Sequence, residues 1–229
     1  MGEAITRLLA QDLNAIVYFT YSKSKDSAEN LENDYSNVFA IKCDFNSEED
    51  LTLLKNKIAE LDLDALINNA YSGDAIKTYF NKITPDEFLT GFKENIIPTV
   101  IITQAAITAF KKKKFGKIIN ILTSFLVNTP PLGSAVYVAN KAYLQQLSKV
   151  WASENAKYNI TSNAVSPSFM LTNFTADTDE RILEEMQAKH PLKKILTTAE
   201  VAETVLFLVN STQQINGVDI LLNSGTNLK

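Results

Sequence analysis

Short runs of apolar, β-prone residues alternate along this chain with longer segments whose apolar residues recur at helical spacing. The alternation is typical of βαβ units, in which helices connect the parallel strands of one sheet. The pattern predicts strands at residues 15–20, 38–42, 65–68, 117–122, 161–165 and 218–222. It predicts helices at residues 3–14, 25–34, 48–61, 85–112, 136–157, 179–189 and 198–210. We therefore expect an α/β fold built around a parallel sheet.

Polar residues and a proline stand where several predicted strands end. Asp44, Asn68, Ser124 and Pro167 each follow or close a strand. Ligands of open α/β sheets bind beyond the carboxyl ends of the strands, so these residues are expected to converge on one cleft.

The composition restricts the class of protein. A chain of 229 residues with 45% hydrophobic content is long enough for one well-buried domain, 1–229, and too short for two. The net charge of −4 argues against a nucleic-acid surface, and no apolar stretch reaches the roughly 20 residues of a membrane span. The single cysteine excludes an internal disulfide, and no signal-peptide pattern is present, so a cytoplasmic location is expected. No metal site is predicted.

The strongest chemical signal combines Tyr137 and Lys141, four residues apart, with Ser124 thirteen residues before the tyrosine. On a helix the tyrosine and lysine share a face, and a serine at a strand end can meet them across a cleft. An ammonium about 4 Å away interacts with a phenolate by roughly 4 kcal/mol at an effective dielectric of about 20. Lys141 is therefore expected to lower the pKa of Tyr137, and Ser124 to hydrogen-bond a substrate carbonyl. The alternative is that Tyr-x-x-x-Lys occurs here by chance.

From Gly2 to its C-terminus the chain resembles the classical short-chain dehydrogenase/reductases. The motifs that carry the resemblance are Asn68-Asn69-Ala70, Asn95, the Ser124/Tyr137/Lys141 trio, Pro167 with Thr172, Asn216-Gly217-Val218-Asp219 and Ser224-Gly225. The resemblance implies a Rossmann-like, doubly wound parallel sheet in three layers, α/β/α, without the usual first strand. It also implies a homodimer or homotetramer paired through the two long helices.

The resemblance implies a role for each motif residue. Tyr137 would protonate the carbonyl oxygen while Lys141 also holds the nicotinamide ribose, and Asn95 would hold a water of the proton relay. Thr172, near Pro167, would contact the nicotinamide carboxamide. Gly2 and Ala70 would lie along the cofactor, with Asp44 at its adenine and Asn68 near the adenosine ribose. For Asp44 and Asn68 the alternative is that they cap turns after strands.

The segment after the first predicted strand bears on the choice of cofactor. An acid there would bind the ribose 2′-hydroxyl of NAD. The chain instead has Tyr21, Ser22, Lys23 and Ser24, whose hydroxyls and ammonium suit a 2′-phosphate. NADP(H) is therefore favoured over NAD(H), and the alternative is an ordinary exposed polar loop.

The chain departs from the family at three places. The first strand and the first two glycines of the phosphate loop are absent, and only Gly2 remains. Either a strand stands upstream of the given start, or the flanking strands close together directly. Ser168 replaces a glycine and must accept its turn. Tyr71 also replaces a glycine, and either lines the nicotinamide or substrate pocket or is an ordinary loop residue.

The segment 169–196 is expected to form a lid over the substrate. Its apolar residues Phe169, Met170, Leu171 and Phe174 suit an apolar or extended substrate, and overall similarity favours a 3-oxoacyl-thioester reductase. His190 is expected to be a cap or surface residue. The leading hypothesis is an NADP(H)-dependent carbonyl reductase acting on a small-molecule substrate. The alternative is a cofactor-free partner subunit that assembles with a complete paralogue.

Overall fold

The computed structural model describes residues 1–76, 78–172, 175 and 178–226. The helices are α1 (Gly2–Leu9), α2 (Lys25–Asp34), α3 (Glu48–Glu60), α4 (Pro85–Lys113), α5 (Ala135–Asn155), α6 (Glu180–Lys189) and α7 (Thr198–Asn210). The strands are β1 (Val17–Tyr21), β2 (Val38–Lys42), β3 (Ala65–Asn68), β4 (Gly116–Ile121), β5 (Ile160–Pro167) and β6 (Asp219–Leu222). All predicted elements are present, although α1 ends at Leu9 and not at Asn14.

Local sequence signals explain where the helices around the cleft begin. The Ser47 side chain accepts a hydrogen bond from the Asp50 amide at the start of α3. Thr84 and Glu87 form a reciprocal capping box at the start of α4, and Pro85 occupies the first turn, where no amide donor is needed. Each cap satisfies amide groups that have no partner within the helix.

The strands form two parallel sheets. β1 pairs with β2 in one sheet, and β3, β4, β5 and β6 pair in that order in the other. β1 and β3, the strands that would flank the family's first strand, do not pair with each other, so direct closure, one of the two alternatives, is not what the structure shows. Every residue of β4 and β5 is buried, whereas the four residues of β3 are only half-buried, because β3 is an edge strand here.

Helices cover both faces, which confirms the three-layer α/β/α fold. Residues of α3, α4 and α5 pack with β4 and β5 in one core, centred on Phe110 and Ile118. Residues of α1 and α7 form the core on the opposite face, and α2 packs there beside α1. A Cβ at Gly116 would collide with the Phe110 ring, so close approach requires glycine at the start of β4. Within the described residues, no helix combines the length and apolarity needed to cross a membrane.

Candidate active site

The carboxyl ends of the strands bring the predicted trio together. Ser124 follows β4 after two residues and is 1% exposed, while α5 carries Tyr137 and Lys141 on one face. The Lys141 side chain runs towards the sheet, where its Nζ donates a 2.7 Å hydrogen bond to the carbonyl oxygen of Ile121, the last residue of β4. The strand end and the helix are therefore connected through the lysine itself.

Lys141 is 4% exposed, and burial lowers the pKa of its ammonium to about 8. Its Nζ lies over the ring of Tyr137, 5.8 Å from the ring centroid. Such a position is a cation–π contact, in which the ring face partly replaces the lost hydration. An ammonium with this pKa can release or take up a proton near neutral pH.

The protonation of Tyr137 differs from the sequence-based expectation. Burial raises the pKa of Tyr137, although a hydrogen bond with Thr123 acts in the opposite direction. The expected lowering of the Tyr137 pKa by Lys141 is therefore wrong, because desolvation of the phenolate is the largest influence and Nζ faces the ring. Tyr137 is thus a protonated phenol at neutral pH, which is the form that an acid requires.

Thr123 is a site residue that the sequence analysis missed. Its side chain accepts a 3.3 Å hydrogen bond from the Phe125 amide and also bonds Tyr137. The only signal in the sequence was a second hydroxyl directly before Ser124. The backbone carbonyl of Ser124 accepts hydrogen bonds from the amides of Val127 and Asn128, which fixes the turn that follows β4.

Asn95 uses its side chain to hold the backbone that follows β3. Its Oδ1 accepts a 2.7 Å hydrogen bond from the Ser72 amide, and its Nδ2 donates to the carbonyl oxygens of Ser72 at 3.2 Å and Gly91 at 3.0 Å. The Asn95 carbonyl accepts a bond from the Thr99 hydroxyl. Asn95 therefore fixes the position of the loop beside the trio, and its role in a water relay stays a prediction.

The sequence left open whether Tyr71 lines a pocket or is an ordinary loop residue. In the structure Tyr71 lies against Tyr137 and Lys141. Its ring meets the Tyr137 ring edge-on, with 5.0 Å between centroids and an interplanar angle of 79°. The Nζ of Lys141 lies 5.1 Å from the Tyr71 centroid. Burial raises the pKa of Tyr71 to about 12, while the nearby Asn140 side chain acts in the opposite direction. The structure thus places Tyr71 beside Tyr137 and Lys141, and its contact with a cofactor or substrate stays a prediction.

The Asn68 side chain forms hydrogen bonds with residues of two neighbouring elements, α4 and β4. Its amide donates to the Thr103 hydroxyl at 3.0 Å and to Asn120 Oδ1 at 2.9 Å. The Asn120 amide in turn donates to the Ser148 hydroxyl, so a polar network links β3, β4, α4 and α5. In this arrangement Asn68 joins elements of the fold, and contact with an adenosine ribose stays a prediction.

Asp44 caps a turn after β2, as the alternative to a cofactor contact predicted. Its Oδ1 accepts a 3.0 Å hydrogen bond from the Asn46 amide, and its own amide donates to Asp50 at 2.7 Å. The carboxylate remains partly exposed beyond β2. Contact with adenine stays a prediction.

The remaining predicted cofactor residues lie at the same carboxyl edge. Tyr21 ends β1 half-buried, and the three residues after it, Ser22, Lys23 and Ser24, are exposed. Gly2 begins α1, where a Cβ would come within 2.9 Å of the Asn69 amide nitrogen, so a side chain would crowd this helix start. Ala70 is exposed after β3.

The segment 169–196, predicted to form a lid, follows Pro167, the last residue of β5, after one residue. Ser168 donates its amide to the Leu222 carbonyl oxygen without a positive φ, so the expected strain of replacing glycine is not present. Thr172 bonds through its amide and its hydroxyl to the Thr175 hydroxyl. Phe174 lies outside the described residues, and His190 caps the C-terminus of α6.

Comparisons with known proteins identify the family and the fold. The family model described as Enoyl-(Acyl carrier protein) reductase matches residues 1–227. The 3-oxoacyl-(acyl-carrier-protein) reductase FabG of Aquifex aeolicus (strain VF5) is 30% identical over 231 residues, covering 98% of this chain and 92% of its own. Carbonyl reductase family member 4 of Xenopus laevis is 28% identical, covering 100% and 94%. The crystal structure of a putative betaketoacyl-ACP reductase superimposes with a TM-score of 0.83 at 25% identity, covering 97% and 91%.

Proposed function

This chain belongs to the classical short-chain dehydrogenase/reductase family of oxidoreductases, and from that premise we propose that it reduces a carbonyl group to an alcohol with NADPH. The observation that carries the proposal is the trio itself: a buried ammonium, a protonated phenol and a serine hydroxyl at one strand end. Relatives named as 3-oxoacyl-(acyl-carrier-protein) reductases support a 3-oxoacyl thioester as the substrate class.

The chain has groups that fit a nicotinamide dinucleotide along the carboxyl edge. Lys141 offers an ammonium to the nicotinamide ribose, and the uncrowded start of α1 at Gly2 offers backbone amides to phosphate. The exposed hydroxyls and ammonium at residues 22–24 suit a ribose 2′-phosphate, which supports NADP(H) over NAD(H). Thr172 would contact the carboxamide, and Asp44 the adenine.

When bound, the reduced cofactor supplies a hydride to the carbonyl carbon. The hydroxyls of Ser124 and Tyr137 donate hydrogen bonds to the carbonyl oxygen, and these bonds strengthen as negative charge develops there. Tyr137 then transfers its proton to the forming alkoxide, so that hydride and proton together complete the alcohol. The Lys141 ammonium stabilises the resulting phenolate and can return a proton to it, because its pKa of about 8 lies near neutrality.

The raised pKa of Tyr137 keeps the phenol near neutral pH in the protonated form that reduction requires. Reduction starts from the protonated phenol, whereas oxidation of an alcohol needs the phenolate as a base. We also propose a cytoplasmic homodimer or homotetramer paired through α4 and α5. In α5, Val150 remains exposed for such a contact, while Leu144 and Trp151 belong to the protein's own core.

The test is NADPH oxidation with acetoacetyl thioesters, followed by absorbance, for the wild type and Tyr137→Phe. We expect Tyr137→Phe to lose about 100- to 10,000-fold in turnover, which is the usual contribution of a positioned acid. Tyr143→Phe is the matched control, because Tyr143 is on the same helix but packs against Phe92, away from Lys141. Equal turnover in wild type and Tyr137→Phe would contradict the acid–base role.

The split sheet favours a second candidate, a cofactor-free subunit that assembles with a complete paralogue. β1 and β2, which lead to the proposed adenosine contacts, are not hydrogen-bonded to the sheet that carries Ser124. Titration with NADPH and NADH separates the candidates. Binding of either nucleotide supports the reductase, and a folded protein that binds neither supports the partner subunit.

A further inference from the structure

The Tyr71 ring occupies one side of the Lys141 ammonium. Nζ lies 5.1 Å from the Tyr71 centroid and 5.8 Å from the Tyr137 centroid, and its hydrogen bond to Ile121 points to the sheet. The ammonium is therefore enclosed by one carbonyl oxygen and two ring faces. Ring faces are weaker partners for a buried cation than hydroxyl oxygens are. The hydroxyl oxygens of a ligand can therefore replace a ring beside the ammonium.

The position of Tyr71 is set by its neighbours. The next residue, Ser72, is held through both its amide and its carbonyl by the Asn95 side chain. The Tyr71 ring itself packs edge-on against Tyr137, and the Asn140 side chain lies near the Tyr71 hydroxyl. The anchored backbone and the aromatic contact define one position for the Tyr71 ring. The ring can leave this position by rotation about its side-chain bonds.

A ligand hydroxyl cannot reach Lys141 on this side while the ring is there. A hydrogen-bonded oxygen lies about 2.9 Å from a nitrogen, and it needs about 3.5 Å to ring atoms. The 5.1 Å between Nζ and the ring centroid is shorter than the sum of these distances. The ring and a hydroxyl therefore compete for the same face of the ammonium.

We propose that Tyr71 is a positioning residue that shields the Lys141 ammonium in the ligand-free protein and moves aside when a ribose diol binds there. The ligand part of this proposal rests on the proposed function; the shielding does not. Tyr71 thereby lowers cofactor affinity and keeps water away from the acid–base pair between turnovers.

Shielding is tested without any cofactor, by limited acetylation of the folded protein and peptide mass spectrometry. In the wild type and in Tyr71→Phe, Lys141 should react far more slowly than the exposed Lys112. Tyr71→Ala should raise the Lys141 rate about tenfold, because the ring face is lost and solvent enters. Phe125→Leu is the control: its ring lies 6.4 Å from Tyr137 but not over Lys141, so the Lys141 rate should not change.

Competition is tested by titrating NADPH into the same variants. Tyr71→Ala should bind NADPH about tenfold more tightly than the wild type, because the ligand no longer breaks the cation–π and edge-on contacts. Tyr71→Leu serves in its place if Tyr71→Ala does not fold, and the same direction is expected.

The two arms separate the possible failures. Unchanged acetylation in Tyr71→Ala or Tyr71→Leu would overturn the shielding, and faster acetylation with unchanged or weaker NADPH binding would overturn the competition. Faster acetylation in a protein that binds no nucleotide in any variant would leave the shield standing and remove the proposed function instead. Tighter binding together with faster acetylation supports both parts.

Discussion

Replacing Lys141 by methionine should change how the stability of the protein depends on pH. The methionine keeps most of the length of the side chain but carries no charge. Lys141 is 4% exposed, and burial lowers the pKa of its ammonium from an ordinary value of 10.5 to about 8. A group whose pKa differs between the folded and unfolded protein contributes a pH-dependent part of the free energy of unfolding.

The size and sign follow from this lowering of the pKa. Between pH 8 and pH 10.5 the unfolded chain keeps a proton that the folded chain has released, so the free energy of unfolding rises with pH in this window. The total rise is about 3 kcal/mol at 1.36 kcal/mol for each pKa unit. Below pH 8 Lys141 carries its proton in both states, so its contribution to the free energy of unfolding no longer changes with pH. In this range the burial of the ammonium destabilises the fold by the whole of that contribution.

The assay is urea denaturation of the wild type and Lys141→Met without ligand, at intervals from pH 7 to pH 10.5. Cys43, whose pKa burial raises to about 11, acts in the opposite direction but is present in both proteins and cancels in the difference. The wild type should gain about 3 kcal/mol relative to Lys141→Met across the window. Parallel stability curves for the two proteins would refute the argument that Lys141 is buried with a lowered pKa.

Three further predictions concern neighbouring parts of the structure. Thr123→Val removes the hydrogen bond that opposes the raised pKa of Tyr137, so ultraviolet titration should show the phenol ionising at a higher pH than in the wild type. Lys23→Glu should weaken NADPH binding about tenfold or more with little effect on NADH, because a carboxylate repels a 2′-phosphate; calorimetry measures both. Gly116→Ala should lower the free energy of unfolding by about 1 to 3 kcal/mol in urea, since its Cβ collides with the Phe110 ring.

Periodicity and strand-end chemistry predicted most of the fold. The strands were predictable from short β-prone runs such as Ile118-Ile119 in β4 and Ala164-Val165 in β5, although both strands are fully buried and also contain polar residues. α1 ends earlier than predicted, at Leu9, because the apolar pattern continues into a turn: the Ala15 amide bonds the carbonyl oxygen of Asp12 there. Local pattern alone does not separate a last helical turn from the turn that follows it.

The side-chain directions within the site were not predictable from sequence. Asn68 and Asn95 were both placed near a ligand, but their amides bond Asn120 and Ser72 across the fold. The direction of the Tyr137 pKa shift was predicted wrongly. The spacing of the two residues brings Lys141 close to Tyr137 but does not determine whether Nζ meets the hydroxyl or the ring. Both outcomes depend on burial and rotamers, which are set by tertiary packing.

Under the proposed function, the two sheets carry different residues, those of catalysis and those of cofactor binding. Ser124, Tyr137 and Lys141 depend on β4 and α5, which belong to the four-stranded sheet, whereas the residues after β1 and β2 depend on the two-stranded one. Helix α1 and its C-cap residue connect the two sheets, because Ile5 packs in the core of the larger sheet and Ala10, which follows the helix, in that of the smaller. The trio therefore stays in place although β1 and β3 do not pair. In a reductase of this design, the open edge between the sheets should appear as a high Kd for the dinucleotide and not as a low turnover once it is bound.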